Sequence, residues 1–390
     1  MSNQSISTLK QLKNHLSLSL TEENLLRQVI QVHPMRISPH YMSLIDWSDP
    51  YDPIRKMAVP SPDELNLEGC YDTSGEYDNT KMPGIQHKYS ETVLILATNQ
   101  CAMYCRHCFR KRLVGLPTKE ILKRFKDAAE YIRSHPEINN VLVTGGDPLT
   151  LPNRIIEHIL RALTSIRHID FIRIGSRIPV TLPNRLNDQE LLNIFKKYSK
   201  PDKRIYLMTQ FNHPREINPQ SINAVNNLIE TGVSVNNQTV LLKQVNDDPD
   251  TLVTLMNKLT AIGVTPYYVF QCRPLERVKH HFQVPICEGL RIVEEAKAKC
   301  SGLGKRFKYV MSHKTGKIEI IGIMDDEIYF KYHEAKDRKN LGVIFKRPVD
   351  EKAGWLDDFD KYHDLERIER RLKARFPLME RSPTAMTIPE

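Results

Sequence analysis

Three cysteines in one short stretch have the spacing of a metal-ligand set. Cys101, Cys105 and Cys108 form a C-x3-C-x2-C pattern directly after an apolar run. Three thiolates this close can hold three corners of a [4Fe-4S] cube, whereas an electron carrier supplies four. The other cysteines lie elsewhere in the chain, so one iron is left open to a non-protein ligand. Such an iron can bind and reduce a sulfonium, which cleaves to a carbon radical.

Two other uses of these cysteines are less consistent with the sequence. Zinc prefers four nitrogen or sulfur ligands, usually in two pairs, and His107 is too close to Cys105 and Cys108 to share one metal with them. A disulfide is not expected, because the polar N-terminus lacks an apolar secretory segment. We therefore predict an open iron–sulfur site in a cytoplasmic protein, with structural zinc as the weaker alternative.

The composition limits the classes of partner. The chain has 390 residues, and its 56 Lys and Arg against 47 Asp and Glu give a formal net charge of +9. No apolar run reaches the length of a membrane span. A basic chain can bind nucleic acid, but the basic residues are scattered and aromatic residues do not interleave with them. The basic residues around the cysteines instead indicate an anionic small substrate or cofactor.

Short apolar runs alternate with helical patterns over residues 91–300. The runs predict six strands, at 93–97, 140–144, 171–175, 204–208, 234–242 and 265–270. This alternation is typical of a parallel α/β sheet, and six units are too few for a closed eight-stranded barrel. We predict a partial (β/α)6 barrel of parallel strands, with a doubly wound sheet as the alternative.

Less regular sequence lies on both sides of this pattern. Residues 1–90 are predicted to form an N-terminal helical and irregular arm, with a helix that starts near Thr21. The C-terminal segment, residues 301–390, contains two short predicted strands at 307–311 and 317–321. A charged stretch follows, with a helical run at 364–376 that could form oligomer contacts.

Polar residues follow the predicted strands, and the carboxyl ends of parallel strands meet at one edge of a sheet. Gly145 and Gly146 lack side chains, so their backbone can approach a ligand. Asp147 could orient a ligand's ammonium group or support the loop, and an ordinary turn is the alternative. Further candidates are Arg173, Ser176, His213, Asn237 and Gln238. His213 could instead cap the next helix, whereas the amides at 237 and 238 need polar partners that a polar cavity would supply.

Lys305 follows two glycines in the stretch Ser301-Gly-Leu-Gly-Lys305. A lysine after a glycine-rich turn can form a Schiff base with pyridoxal phosphate. A solvated surface lysine is the commoner outcome of so short a motif, and its spacing does not decide between the two.

Together these residues resemble the lysine 2,3-aminomutase family of radical S-adenosylmethionine enzymes. The similarity runs from about residue 35 to about residue 321. The matching stretches are 43–46, 52–56, 98–108, 145–149, 173–179, 212–214, 237–242, 266–268 and 271–272.

The resemblance implies a reaction. S-adenosylmethionine chelates the open iron through its amino and carboxylate groups. One electron, from a donor such as flavodoxin or ferredoxin, cleaves it to methionine and a 5′-deoxyadenosyl radical. The radical takes hydrogen from the β-carbon of an amino acid held as an aldimine with pyridoxal 5′-phosphate, and the nitrogen moves from the α- to the β-carbon. A homo-oligomer is also implied.

The resemblance further assigns residues. Cys101, Cys105 and Cys108 hold the cluster, and Arg110 matches the arginine for the substrate α-carboxylate, which a planar guanidinium suits. Lys305 matches the pyridoxal lysine. The residues expected to contact the cofactors are Gly145, Gly146, Asp147, Arg173, Ser176, His213, Gln238, Lys88 and Lys305.

Several positions depart from the family's pattern. Lys88 and Thr92 stand where the family has two arginines for the pyridoxal phosphate group, and only Lys88 keeps the charge. The family's four-glycine run is here only Gly302-Leu-Gly304, and a segment with an aspartate before it is shortened or absent. Arg273 replaces an aspartate that holds the ε-ammonium group of lysine. A guanidinium would repel that ammonium and suit a side-chain carboxylate, so we predict a substrate other than lysine, such as glutamate.

The sequence therefore predicts a radical S-adenosylmethionine 2,3-aminomutase, an isomerase of free amino acids that uses a [4Fe-4S] cluster, S-adenosylmethionine and pyridoxal 5′-phosphate. The alternative is a radical enzyme without pyridoxal phosphate that modifies a peptide, protein or nucleic acid. A third interpretation is an iron–sulfur electron-transfer protein, against which stand the open iron and the glycine loop.

Overall fold

This computed structural model describes residues 4–359 of the chain. Within that range twelve strands form one sheet, and their order in the sheet is their order in the sequence. The strands are β1 (Thr80–Met82), β2 (Ile85–Tyr89), β3 (Thr92–Thr98), β4 (Asn140–Gly145), β5 (Phe171–Gly175), β6 (Arg204–Thr209), β7 (Ser234–Leu241), β8 (Thr265–Gln271), β9 (Lys308–His313), β10 (Gly316–Met324), β11 (Glu327–Ala335) and β12 (Ile344–Pro348).

Seven neighbouring strands, β3 to β9, run parallel. The first six are the predicted strands, because apolar runs of this length are buried on both faces of a parallel sheet. A doubly wound sheet reverses its strand order at a switch point, and no reversal occurs here. The prediction of a partial barrel is therefore confirmed. The strand β9 adds a seventh parallel strand beyond the six expected.

Thirteen α-helices precede or connect these strands in residues 4–359. They are α1 (Leu9–Leu12), α2 (Leu20–Val32), α3 (Pro39–Met42), α4 (Pro53–Ala58), α5 (Glu76–Asn79), α6 (Phe125–Arg133), α7 (Asn153–Thr164), α8 (Ile178–Thr181), α9 (Gln189–Tyr198), α10 (Pro219–Glu230), α11 (Pro249–Ala261), α12 (Lys279–Phe282) and α13 (Ile286–Lys299). Helix α2 begins before Thr21, because Ser19 and Glu22 form its capping box. None of these described helices has the length and apolar content to cross a bilayer. The predicted run at 364–376 lies outside the described residues.

Antiparallel strands extend the sheet on both sides of the parallel set. The strands β1 and β2 precede β3, and β10 to β12 follow β9. Of these, only β10 overlaps a predicted strand. The strand β11 was missed because its sequence is rich in charged residues, although Ile328 and Phe330 alternate with polar neighbours and are buried.

The sheet curves until its two sides approach each other without pairing as strands. The Lys88 Nζ atom on β2 donates a hydrogen bond to the carbonyl oxygen of His313 on β9, at 2.5 Å. Arg338, which follows β11, forms an ion pair with Glu91, which lies between β2 and β3, at 3.1 Å. Side chains of β2 and of β11 therefore line the same interior space.

A buried ion network attaches the N-terminal arm to the segment that carries the cysteines. We call this segment, residues 99–115, the cysteine loop. Glu64 of the arm accepts hydrogen bonds from Arg106 at 2.6 and 2.8 Å and from Lys111 at 2.6 Å, and all three residues are buried. Burial opposes ionisation of Glu64, but the two cations outweigh it and hold its pKa well below the ordinary value. The arm thus supplies the anion without which two cations would be buried unpaired.

We expect Glu64→Gln to lower the free energy of unfolding at neutral pH by about 3–5 kcal/mol, because it leaves two buried cations without their counter-charge. The exposed Glu294, paired with Lys297, is a matched control, and Glu294→Gln should change stability by less than about 1 kcal/mol. Urea unfolding followed by circular dichroism measures both.

The same variant should show a defined pH dependence. Because the folded-state pKa of Glu64 is depressed, its contribution is present above the ordinary carboxyl pKa and is lost as the pH falls through the folded value. The difference between wild type and Glu64→Gln should therefore shrink in acid. Equal stability of the two proteins at neutral pH would contradict this account of the network.

Candidate active site

A cavity of about 360 Å³ lies inside the curve of the sheet. Its walls come from the loops after β3 to β6 and from the strands β2, β7, β8, β10 and β11. Six Lys or Arg side chains and three carboxylates line it. This size suits a small-molecule site, and the excess of positive charge favours anionic ligands.

The three cysteines predicted as ligands line this cavity together. All three are free thiols and partly buried. Burial raises the pKa of Cys101 well above its ordinary value, and burial with the neighbouring Cys105 raises the pKa of Cys108 to about 11. Because iron binds the thiolate, loading a cluster here would displace protons from these thiols.

The three thiols share one wall of the cavity, and each would bind a different iron of a cube. Among the described residues, no three His, Cys, Asp or Glu side chains are arranged to hold a metal ion. A [4Fe-4S] cluster does not need convergent thiolates, because each one binds a different iron. Cys272 also lines the cavity, but it follows β8, whereas the three other thiols share the cysteine loop. Three thiols, and not four, therefore form the candidate cluster site.

A buried arginine holds one of these thiols. The Arg177 Nη1 atom donates a hydrogen bond to Cys105 Sγ at 2.9 Å, and its Nε atom donates to the carbonyl oxygen of Gln210 at 2.9 Å. The same guanidinium pairs with the buried Glu216. The guanidinium therefore places a positive charge directly beside one of the three candidate cluster ligands.

The two glycines after β4 permit a close contact between two loops. A Cβ atom on Gly145 would lie 2.3 Å from the carbonyl oxygen of Thr98, and one on Gly146 would lie 2.4 Å from that of Gln100. The Gly146 N–H donates to Thr98 at 2.5 Å, and the Asp147 N–H donates to Gln100 at 2.8 Å. The glycine loop thus supports the cysteine loop directly, and both glycines also line the cavity.

Asp147 connects the glycine loop to the loop after β5. Its carboxylate accepts hydrogen bonds from Ser176 Oγ at 2.7 Å, from the Arg177 N–H at 2.8 Å and from the Leu149 N–H at 3.1 Å. Burial raises the pKa of Asp147 to about 6. Of the two roles considered from the sequence, the support of the loop is the one that these contacts describe.

A second part of the cavity is lined by cations and one carboxylate, which we call the basic wall. Its members are Lys88, Arg173, Lys317 and Glu334. Lys317 Nζ lies 3.0 Å from Glu334. Arg173 Nη2 donates to Asn140 at 2.6 Å, whereas its buried Nε atom has no hydrogen-bond partner among the described residues. The wall therefore has an unused donor and suits an anionic group such as a phosphate.

Two guanidinium groups contact one aromatic ring in the cavity wall. The Cζ atoms of Arg110 and Arg273 lie 4.5 and 4.3 Å from the ring centre of Phe109. Arg110 also pairs with the buried Glu76 at 3.1 Å, and Arg273 Nη1 donates to Ser74 Oγ at 2.7 Å. Burial lowers the pKa of Arg273 to about 10, so it stays charged at neutral pH.

The structure brings most of the predicted site residues to this cavity but leaves three outside. His213 caps a short 3-10 helix, with its Nδ1 atom accepting the Arg215 N–H at 3.2 Å. Asn237 holds the backbone of Phe211, whereas its neighbour Gln238 lines the cavity. Lys305 is exposed before β9 and does not line the cavity.

Comparison with known proteins defines the family. The model of the Radical SAM superfamily matches residues 95–256. A protein of Aquifex aeolicus (strain VF5) named "Putative L-lysine 2,3-aminomutase" is 45% identical over 360 residues, which are 90% of this chain and 96% of the relative. The L-lysine 2,3-aminomutase of Clostridium subterminale is 40% identical over 300 residues, 76% of this chain and 71% of the relative.

This chain belongs to the lysine 2,3-aminomutase family of radical SAM enzymes. The resemblance found in the sequence is thereby confirmed. A glutamate 2,3-aminomutase of Clostridioides difficile (strain 630) is 38% identical over 300 residues, 76% of this chain and 70% of the relative. Membership of this isomerase family implies a [4Fe-4S] cluster and S-adenosylmethionine, and the three thiols on the cavity fit that cluster.

Sequence reasoning missed several cavity residues of this aminomutase-family chain. Glu76 lies in the irregular arm, where no periodicity marked it. Lys317 and Glu334 lie on antiparallel strands outside the six predicted units. The sequence contains a pattern that could have indicated Lys317, because this lysine follows Gly316 at a turn between two predicted strands. The glycines at 302 and 304 favoured Lys305 instead.

We expect Gly146→Ala to reduce iron loading of this aminomutase-family chain. The added methyl group would meet the backbone of Gln100, and overpacking of this kind costs about 1–3 kcal/mol. Gly302→Ala is the matched control, because nothing lies within 4 Å of a Cβ atom at that position. Iron and sulfide analysis after anaerobic reconstitution gives the comparison, with circular dichroism to show that both variants are folded. Equal iron content in the two variants would disprove the role given to the glycine loop.

Proposed function

We propose that this chain moves the α-amino group of a free amino acid to its β-carbon, with a [4Fe-4S] cluster, S-adenosylmethionine and pyridoxal 5′-phosphate as cofactors. One observation carries the proposal: the three thiols of the cysteine loop and the basic wall line the same cavity. The migration needs a source of a carbon radical and a carbonyl group that binds the migrating nitrogen. The cofactors supply these two chemistries when bound.

The thiol end of the cavity provides for the radical source. Cys101, Cys105 and Cys108 would each bind one iron, with Arg177 beside Cys105 to balance the charge of sulfur. Gly145 and Gly146 leave backbone groups accessible to S-adenosylmethionine, while Asp147 and Ser176 keep their loops in place. Gln238 of β7 offers a further amide to the cavity.

The basic wall provides for pyridoxal phosphate. Lys88 keeps the charge of one family arginine, and Arg173 offers its unpaired Nε atom. Thr92 stands at the position of the second arginine and is uncharged. Its Oγ1 atom lies 3.5 Å from Arg173 Nη2. Arg173 lines the cavity, and its buried Nε atom is unpaired among the described residues. Both observations support this assignment, because a buried guanidinium nitrogen needs an acceptor.

The two arginines on Phe109 favour a substrate with two carboxylates. Within residues 4–359, Arg110 donates hydrogen bonds through Nε and Nη1, and Arg273 donates through Nη1. The Nη2 atoms of both guanidinium groups are therefore left as donors for a ligand. We assign Arg110 to the α-carboxylate and Arg273 to a carboxylate on the substrate side chain. The named relatives act on lysine and on glutamate, and a fixed cation at 273 favours the acidic substrate because it would repel an ε-ammonium.

Substrate comparison tests the function and the role of Arg273 together. The reconstituted enzyme should convert glutamate to its β-amino isomer and leave lysine unchanged. In Arg273→Gln, kcat/KM for glutamate should fall about 10- to 100-fold, the value of one charge-assisted contact. The kcat/KM of Arg273→Lys for glutamate should lie between those of the wild type and Arg273→Gln, because lysine keeps the charge but lacks the planar guanidinium group.

Arg306→Gln is the matched control, because Arg306 is exposed and lies away from the cavity. Products are measured by mass spectrometry together with 5′-deoxyadenosine. Clear conversion of lysine by the wild-type enzyme would overturn the substrate assignment. Formation of 5′-deoxyadenosine without any β-amino acid, from any amino acid supplied, would overturn the aminomutase function.

A further inference from the structure

Two lysines of the described part of the chain line the cavity, and neither is Lys305. Lys88 and Lys317 line it. Lys305 lies at the amino end of β9, which is parallel to β8, so it sits at the edge of the sheet opposite the cysteine loop. An amine that binds a cofactor in the cavity has to reach the cavity. The choice is therefore between Lys88 and Lys317.

We propose that Lys317 is the residue whose amine forms an imine with the carbonyl group of the pyridine cofactor; this rests on the function proposed above. Lys317 pairs across the sheet with Glu334 of β11. Its Nζ atom lies 3.0 Å from the Glu334 carboxylate and 4.9 Å from the ring centre of Tyr268. The side chain is only 12% exposed, so a carboxylate and an aromatic face hold the amine inside.

The backbone before Lys317 is fixed by a close contact. A Cβ atom on Gly316 would lie 2.2 Å from the carbonyl oxygen of Glu334, so β10 approaches β11 more closely than any other residue would allow. A hydrogen bond of 2.7 Å between His313 and Thr315 holds the turn. Lys317 therefore extends from a rigid hairpin, as a group that positions a cofactor should.

The condensation balances with groups that are present. The Lys317 ammonium loses one proton to solvent, and the neutral amine attacks the carbonyl carbon. The carbonyl oxygen leaves as water, and a carbon–nitrogen double bond remains between the cofactor and Nζ. No oxidant or reductant is required.

Lys88 is better suited to hold the phosphate. Its Nζ atom donates to the backbone carbonyls of His313 and, at 3.4 Å, of Ser74. Burial and the nearby charges of Arg273, Lys336 and Lys317 lower its pKa to about 7. An anion bound among these cations would reverse the effect of charge and keep Lys88 protonated. Without such an anion, the lowered pKa makes Lys88 the alternative nucleophile. The experiment therefore has to distinguish a label on Lys88 from a label on Lys317.

Borohydride trapping identifies the residue. Full-length protein with its cluster loaded is incubated anaerobically with pyridoxal 5′-phosphate, reduced with borohydride, digested and mapped by mass spectrometry. The label should lie on Lys317 in the wild type and disappear in Lys317→Arg, which keeps the charge opposite Glu334. Lys305→Ala should be labelled as the wild type is. Lys88→Ala should keep the label on Lys317 but need about tenfold more cofactor, for the loss of one charged contact.

Each result decides between the assignments. A label on Lys88 or Lys305, with Lys317 unmodified, would overturn the role of Lys317 and leave the proposed function standing. No labelled lysine in protein with an intact cluster would overturn both. If Lys317→Arg loads no iron or loses its circular dichroism spectrum, the map of the wild-type protein still decides.

Discussion

The buried ion network of Glu64, Arg106 and Lys111 is the constraint on which the site depends. The cysteine loop has no strand or long helix of its own, so its shape has to come from its neighbours. The network fixes the loop on the side of the arm, where further backbone bonds join Tyr104 to Arg36 and Arg106 to Met57. Because unpairing a buried charge costs about 3–5 kcal/mol, the arm is part of the thiol site and not an appendage to it.

The cavity results from two further features of the fold. The glycine loop supports the cysteine loop on its other side, at distances that only residues without a side chain allow. The curve of the sheet then brings β2 and β11 opposite this pair of loops, so that thiols and cations share one space. The chemistry of a radical aminomutase requires such a shared space, because a carbon radical reacts with the first hydrogen it can reach.

The sequence predicts the fold to the extent that local pattern encodes it. The six apolar runs are strands because each is short, β-branched and bounded by turn residues, and Cys101, Cys105 and Cys108 reach the cavity because they follow the first of them. Lys305 was predicted from its glycines and from the family resemblance, and its distance from the cavity follows from the direction of β9, which no local pattern contains. Glu64 and Glu76 were missed for a similar reason: their partners lie more than thirty residues away, and such pairing is a property of tertiary structure.

The central claim is that one cavity joins the radical source to the bound amino acid, and transfer of a heavy hydrogen isotope tests it most directly. The reconstituted enzyme would be given glutamate deuterated at the β-carbon, and lysine deuterated at the β-carbon in parallel, with reductant and unlabelled S-adenosylmethionine. The account predicts deuterium in 5′-deoxyadenosine and in the β-amino product from glutamate. If 5′-deoxyadenosine forms in the presence of both amino acids but carries deuterium from neither, the radical does not reach an amino acid, and the account is contradicted.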